Sequence, residues 1–139
     1  MKVGILSFQG SFLDHSKSIL SIGATPVLIK NETDIYELDA LILPGGESTA
    51  MKKIDSYSKV FSLLDDFINS GKPTLSTFAG TILLAKDVIG GDTTIPNIDI
   101  QVTRNAYGRQ TESFEGSVSF YDNNAVSYTH LTLPTKQMV

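Results

Sequence analysis

A sharp bend in residues 73–86, which read PTLSTFAGTILLAK, is the place where this chain could present a reactive group. A short apolar stretch, a turn of small residues and a second apolar run predict a strand that turns directly into a helix. This geometry exposes one side chain beyond the end of a parallel strand and aims the first helical amides at any ligand bound there. The exposed position is Phe78, whose side chain cannot act as a nucleophile.

Phe78 has two interpretations. It could be a core residue, whereas the small residues on either side of it favour a crowded turn that needs close backbone approach. Ser76 and Thr77 carry hydroxyl groups, but the sequence places no histidine base beside them. His15 lies near apolar positions of a predicted helix, which favours a structural or surface histidine over a catalytic one.

A second candidate element is the segment PGGEST at residues 44–49, which follows a predicted strand. The paired Gly45 and Gly46 allow the backbone to approach a ligand and turn its amides inward, as an oxyanion hole requires. Glu47 and Ser48 could hydrogen-bond a polar ligand, including an ammonium group. A turn followed by an acidic helix start explains the same residues equally well, because Gly-Gly turns are common.

A third candidate is the polar segment RNAYGRQ at residues 104–110, which also follows a predicted strand. Arg104 could clamp a carboxylate through two parallel hydrogen bonds. Taken alone, however, this segment is better interpreted as a solvated loop.

Strand-like and helix-like segments alternate along the chain, which predicts an α/β fold with a doubly wound, mostly parallel sheet flanked by helices. Apolar residues spaced three and four apart between Val60 and Ile68 give the clearest helix, which Gly71 ends. The predicted strands are residues 2–8, 25–30, 39–43, the start of the bend and 98–103, with a half-exposed antiparallel strand at 114–120. The other predicted helices are residues 11–21 and the bend to about residue 88.

Unusual residues follow three of the predicted parallel strands. They are Gln9 and Gly10 after the first strand, residues 45–48 after the third and residues 78–80 after the fourth. Ligands of such sheets bind beyond the carboxyl ends of the strands, where the strand order reverses. The three segments therefore predict one site at that edge.

Composition excludes several classes of site. The 139 residues suffice for one core, with 41% hydrophobic and 19% charged residues and a net charge of -4. This balance argues against nucleic-acid and membrane partners. The chain has no cysteine and only two histidines, so we expect no disulfide, metal or cofactor. The first residues do not form a signal peptide, and we expect a cytoplasmic protein.

Five segments occur together across residues 1 to about 120. They are GILSFQG at 4–10, LILPGGEST at 41–49, GKP at 71–73, AGTILLAK at 79–86, and RNAYGRQ at 104–110 with SFE at 113–115. In this order and spacing they resemble the PdxT family of class I glutamine amidotransferases, the glutaminase subunits of pyridoxal 5'-phosphate synthase. The resemblance implies a flavodoxin-like fold.

The resemblance also implies an activity and a partner. The family hydrolyses L-glutamine to glutamate and ammonia, and the ammonia passes through a tunnel to a TIM-barrel synthase subunit that makes pyridoxal 5'-phosphate (vitamin B6). Phe78 stands at the position of the family's nucleophilic cysteine. The amides of Gly46 and Ala79 match the oxyanion hole. The positions that match glutamine-binding residues are Gly46, Glu47, Ser48 and Arg104.

The chain departs from the family at two catalytic positions. Phe78 replaces the cysteine, and the C-terminal segment with the family's His-x-Glu pair is absent, since His130 lacks that pattern. We therefore expect no glutaminase activity from this chain. The alternative function is a non-catalytic pseudo-glutaminase that binds the synthase subunit, and docking is favoured over ligand binding because Phe78 would crowd glutamine.

The resemblance also predicts a boundary within the chain. Residues 1–124 are interpreted as an incomplete, C-terminally truncated glutaminase-like domain, and residues 125–139 as a tail outside the family. A translated sequencing adapter is one interpretation of that tail. A sequencing error is an alternative at Phe78 too, because one base change converts a cysteine codon to a phenylalanine codon.

Overall fold

Four parallel strands form the central sheet in the computed structural model, which describes residues 1–104, 114–122 and 125–133, the last two ranges by their backbone. The strands are β1 (Lys2–Leu6), β2 (Thr25–Ile29), β3 (Ala40–Leu43) and β4 (Thr74–Ser76), in the order β2-β1-β3-β4. All of β3, and β1 after its first residue, are buried. Their continuous apolar runs suit strands covered on both faces, as parallel sheets require.

Helices cover both faces of this sheet. Helix α1 (Phe12–Ser21) covers one face, where Phe12 and Ile19 pack against Val3 and Ile5. Helices α2 (Ser48–Ser58) and α3 (Val60–Asn69) contribute to the larger core on the other face. Alternate side chains of each central strand point to opposite cores, which is the period-2 geometry of a strand. The predicted doubly wound, mostly parallel sheet is confirmed.

Most predicted elements in the first 76 residues are confirmed, with ends that shift by a residue or two. The alternative interpretation of residues 44–49 as a turn followed by an acidic helix start is borne out by helix α2, although the sequence assigned no element to residues 50–59. Only Ser48 and Met51 of this helix are buried, so its apolar stripe is weak. Lys59 adopts a left-handed conformation (φ 54°) and separates α2 from α3.

The helix predicted to run to about residue 88 is wrong in its length. Helix α4 spans Ala79–Leu84, and Ala85–Ile89 form strand β5 instead. The amides of Ile95 and Asn97 donate to the carbonyl oxygens of Leu83 and Leu84, at 2.8 and 2.9 Å. A longer helix would need those carbonyls for its own hydrogen bonds, so the tertiary contact ends it.

Two further strand pairs complete the described chain. Strand β5 pairs in parallel with β6 (Ile98–Thr103), and β7 (Phe114–Asp122) pairs in antiparallel fashion with β8 (Ala125–Leu133). The predicted strand at 98–103 and the antiparallel strand at 114–120 are therefore confirmed as strands. The boundary after residue 124 stays a prediction. Within the described residues, no helix is long and apolar enough to cross a membrane.

Candidate active site

The segments after β1 and β3 meet where the strand order reverses. The chain runs from β1 outward to β2 and then returns to the other side of β1 as β3, which places the switch point between β1 and β3. The Ser11 amide donates to the Gly45 carbonyl at 3.0 Å. Gly10 has φ +96°, and a Cβ there would collide with the Gly45 carbonyl oxygen. Glycine is therefore required for this contact.

Gln9 fixes the loop after β3. Its side-chain oxygen Oε1 accepts a hydrogen bond from the Glu47 amide at 2.6 Å. A Cβ on Gly46 would lie 3.0 Å from the Gly10 Cα, so the two loops approach too closely for a larger residue. The sequence placed Gln9 at this edge without a role. Its signal was the polar Gln-Gly pair directly after an apolar strand.

The predicted strand-to-helix bend is confirmed at Phe78. This residue has φ 47° and ψ -114°, a conformation that is strained for a residue with a side chain. The Thr77 amide donates to the Leu43 carbonyl at 3.0 Å, and the Thr81 amide donates to the Phe78 carbonyl at 3.0 Å. A Cβ on Gly80 would collide with the Leu43 carbonyl oxygen. These contacts hold the bend against β3.

The Phe78 side chain lies at the surface of a cavity rather than in the core. It is 46% exposed, and its ring lies against Gly45, where an added Cβ would come within 2.6 Å of the ring atom Cδ2. The cavity has a volume of about 350 Å³. Its lining residues are Gln9, Gly10, Ser11, Gly45, Gly46, Glu47 and Phe78.

The two predicted oxyanion-hole residues lie on the two sides of this site. Gly46 lines the cavity, and Ala79 is the buried first residue of α4. The next three amides of the bend donate to the carbonyl oxygens of Thr77 and Phe78. Within residues 1–104, no backbone acceptor is described for the Ala79 amide. Its role as an oxyanion donor stays a prediction.

Glu47 caps helix α2 and lines the cavity. Its Oε2 accepts a hydrogen bond from the Ala50 amide at 2.7 Å. Burial by itself would raise the pKa of Glu47, but the amides of Ala50 and Thr49, the Thr49 hydroxyl and the charge of Arg104 outweigh it. The net effect holds the pKa of Glu47 below its ordinary value of 4.5. Glu47 is therefore an anion at neutral pH.

Replacing Glu47 with glutamine should flatten the acid dependence of stability. Because its pKa is lowered in the folded state, Glu47 contributes stability above its ordinary pKa of 4.5 and loses that contribution as the pH falls through the lowered value. Urea unfolding from neutral pH to about pH 3 should show a smaller loss for Glu47→Gln than for the parent chain. Glu32→Gln, at an exposed position of the 3-10 helix Glu32–Ile35, is the control. If the free energy of unfolding falls equally with pH in the parent chain and in Glu47→Gln, the ionised Glu47 does not stabilise the fold as the cap of α2.

Arg104 does not line the cavity but contacts Glu47 and Thr49 beside it. Its Nη2 lies 3.2 Å from the Thr49 hydroxyl and 3.7 Å from Glu47 Oε1, and its side chain is only 23% exposed. The Arg104 side chain is therefore more sheltered than a solvated loop implies, while that interpretation of the whole segment stays a prediction. The remainder of that segment, residues 105–110, lies outside the described residues.

The loop after β5 makes room for Arg104. A Cβ on Gly91 would lie 3.0 Å from Arg104 Cδ and 3.3 Å from its Nη1. Lys52 of α2 donates to the Asp92 carbonyl at 2.8 Å and thereby ties this loop to α2. Burial, and then the charge of Arg104, lower the pKa of Lys52. The sequence indicated a loop at 90–92, but nothing in it linked that loop to Arg104.

A larger side chain at position 91 should displace Arg104. In Gly91→Val we expect phenylglyoxal to modify Arg104 several-fold faster than in the parent chain, because the displaced guanidinium no longer contacts Glu47 and becomes more exposed. Arg109 is the only other arginine and serves as the internal reference in peptide mass spectrometry. An unchanged ratio of the two rates would show that Gly91 does not position Arg104.

The remaining candidate residues are farther from the cavity. Ser48 is buried at the first position of α2 and does not line the cavity. His15 Nε2 lies 3.4 Å from the Thr77 hydroxyl, so the structure places a histidine beside one of the two hydroxyls for which the sequence placed none. The Ser76 hydroxyl pairs with that of Thr81 at 3.0 Å. In the part of the chain that the structure describes, no three His, Asp or Glu side chains form a metal-binding group.

Known proteins resemble this chain over most of its length. The profile of the SNO glutamine amidotransferase family matches residues 5–135. The protein named "Pyridoxal 5'-phosphate synthase subunit PdxT" from Methanocorpusculum labreanum is 39% identical over 135 residues, which are 96% of this chain and 71% of that protein. A protein of the same name from Bacillus cereus (strain AH187) is 48% identical over 121 residues, covering 86% and 61%.

Two further matches extend the comparison. The protein of that name from Oceanobacillus iheyensis is 40% identical over 119 residues, covering 84% of this chain and 60% of that protein. A solved structure titled "Crystal structure of glutamine amidotransferase" superposes with a TM-score of 0.76 at 29% identity, covering 94% of this chain and 70% of that one. The chain thus spans about 60 to 71% of the length of these three relatives.

Proposed function

Because the chain belongs to the SNO glutamine amidotransferase family, we propose that its cavity is the glutamine site of a pyridoxal 5'-phosphate synthase glutaminase subunit in a form that cannot hydrolyse glutamine. The observation that carries this proposal is the conformation of Phe78. It occupies a strained strand-to-helix bend beside a Gly-Gly loop, at the position where a nucleophile would stand.

The missing chemistry follows from the side chain at position 78. In a cysteine glutaminase, a thiolate attacks the side-chain amide carbon of glutamine, and backbone amides stabilise the resulting oxyanion. Ammonia then leaves, and water hydrolyses the thioester to release glutamate. Gly46 and Ala79 would supply the oxyanion amides here, but Phe78 has no atom that can form the covalent bond.

The charged rim supports a site for an amino acid. Glu47 is an anion that lines the cavity, and the Arg104 guanidinium lies 3.7 Å from it. A free amino acid carries an ammonium group and a carboxylate on one carbon, so this pair suits both groups. In this arrangement Glu47 takes the ammonium group, Arg104 takes the carboxylate, and the glutamine side chain extends toward position 78. Ser48, the remaining predicted glutamine contact, would act through its backbone because its side chain is buried.

The proposed partner is the TIM-barrel subunit of the synthase, and the proposed location is the cytoplasm. The relatives are named as subunits of pyridoxal 5'-phosphate synthase, which supports a hetero-oligomer. Docking without hydrolysis would make this chain a pseudo-glutaminase. Co-elution with the synthase subunit of Bacillus cereus in size-exclusion chromatography should reveal that docking, and separate elution would contradict it.

Glutamine binding by a Phe78→Ala variant tests the proposed site. Removing the ring opens the place that the glutamine side chain needs, so isothermal titration calorimetry should detect L-glutamine binding to this variant. Adding Glu47→Gln or Arg104→Met should weaken it by at least about tenfold, since each removes one charged contact. Lys53→Met, on the exposed face of α2, is the control for a lost charge. Failure of folded Phe78→Ala to bind L-glutamine would overturn the proposed site.

A further inference from the structure

The cavity combines a charged rim with an aromatic wall. At the rim, Glu47 uses Oε2 to cap α2, while its Oε1 faces Arg104 Nη2 at 3.7 Å. The wall is formed by the Phe78 ring, which is 46% exposed. The charges of the rim suit a zwitterion, whereas the Phe78 ring provides no hydrogen-bonding group for a polar side chain. The two parts together suit an amino acid whose own side chain is apolar.

The Phe78 ring is held in the cavity by the backbone. The bend fixes Phe78 at φ 47°, and the ring lies against Gly45, where no side chain competes for the space. The neighbouring walls are built largely from the backbone of Gly10, Gly45 and Gly46. A ligand side chain that enters this space therefore contacts an aromatic face and glycine backbone.

The cavity volume limits the ligand to a small molecule. About 350 Å³ lies at the low end of the range for small-molecule sites, which is roughly 300 to 1,000 Å³. A single amino acid fits this range, but a peptide or a nucleotide needs more room. The rim also argues for a free amino acid, because a peptide bond would remove the ammonium charge or the carboxylate that the rim matches.

We propose that the cavity binds a free L-α-amino acid with an aliphatic side chain, with Phe78 as the specificity-determining residue. Glu47 holds the ammonium group, Arg104 holds the carboxylate, and the aliphatic side chain packs on the Phe78 ring. The proposal rests on the proposed function, because it keeps the same rim for the same backbone groups. It changes only the side-chain preference of the site.

The preference follows from desolvation. A carboxamide placed against the Phe78 ring would lose hydrogen bonds to water on that side, and each one that the glycine backbone does not replace costs roughly 5- to 150-fold in affinity. An aliphatic side chain has no such cost and gains contact with the ring. L-leucine should therefore bind the parent chain at least about tenfold more tightly than L-glutamine.

Calorimetric titration of the full chain with L-leucine, L-glutamine and N-acetyl-L-leucine tests this inference. We expect binding of L-leucine, at least about tenfold weaker binding of L-glutamine, and loss of binding for the N-acetyl derivative, which lacks the ammonium charge. In Phe78→Ala the order of L-leucine and L-glutamine should reverse. Glu47→Gln should weaken L-leucine binding, and Lys53→Met should not.

Each outcome decides the inference. It is overturned if the parent chain fails to bind L-leucine, if L-glutamine binds at least as tightly, or if N-acetyl-L-leucine binds equally well. Glutamine binding by Phe78→Ala reports separately on the proposed function. If that variant binds L-glutamine while the parent chain ignores L-leucine, only the further inference fails. If neither binds, both fail, and circular dichroism of each protein establishes that it is folded.

Discussion

Ammonia release from L-glutamine by this chain is expected to stay at the uncatalysed rate. The chemistry needs a nucleophile at the bend, and the phenyl ring of Phe78 has no lone pair to attack the amide carbon. Loss of a nucleophile that works within a catalytic unit costs on the order of a millionfold in rate. The proposed oxyanion amides at Gly46 and Ala79 would not compensate, because without a nucleophile no oxyanion forms.

The measurement is a glutamate dehydrogenase-coupled ammonia assay, with and without the synthase subunit. The Bacillus cereus relative, assayed in parallel, serves as the reference protein. Phe78→Ala, prepared from the same host, reports contaminating glutaminase, since alanine is no more reactive than phenylalanine. Release by the parent chain that exceeds the Phe78→Ala background and approaches the reference rate would refute the assignment of position 78.

Substitution of Gly80 should have the largest effect on the fold. Gly80 lies where α4 meets β3, and an added Cβ would collide with the Leu43 carbonyl oxygen and lie 2.6 Å from its carbon. Backbone atoms cannot move aside as a flexible side chain can. Gly80→Ala should therefore lower the free energy of unfolding by about 1 to 3 kcal/mol, although alanine favours helices by about 1 kcal/mol over glycine.

Urea unfolding of Gly80→Ala and Gly71→Ala separates crowding from other effects of a methyl group. Among the residues that the structure describes, no atom lies within 4 Å of a Cβ built on Gly71, although its φ of +85° is strained for alanine. Gly71→Ala should therefore lose only the strain energy of about 1 kcal/mol. If Gly80→Ala is as stable as the parent chain, the close approach of α4 to β3 is looser than the structure indicates.

The central sheet could be predicted because its strands obey local rules. The continuous apolar runs of β1 and β3 indicate burial on both faces, and the polar or glycine residues after them indicate the edge where loops meet. The contact between Ser11 and Gly45 bears out that reasoning. The roles of Gly46, Glu47, Ser48, Arg104 and Ala79 in glutamine binding and catalysis came from family resemblance and stay proposals.

The errors have a common cause, which is contact between segments distant in sequence. Helix α4 ends early because residues of the following loop take the carbonyls of Leu83 and Leu84. Arg104 is mostly buried because Gly91, at the end of another strand, leaves space for its side chain. No periodicity near Leu84 or Arg104 carries this information. Local sequence patterns therefore predicted the sheet but not the contacts that the segments after residue 84 make with the rest of the fold.

The strain at Phe78 has an evolutionary consequence. Its φ of 47° is imposed from outside, by the hydrogen bond of Thr77 to Leu43 and by the helix that starts at Ala79. The fold thus holds position 78 in the conformation that a nucleophile there would require. A single codon change can replace a side chain. The backbone conformation at position 78 depends on many neighbouring residues, so a single substitution does not change it. Backbone conformation is therefore expected to change more slowly in evolution than a single catalytic side chain. It can help to identify proteins that descend from enzymes but lack their catalytic residues.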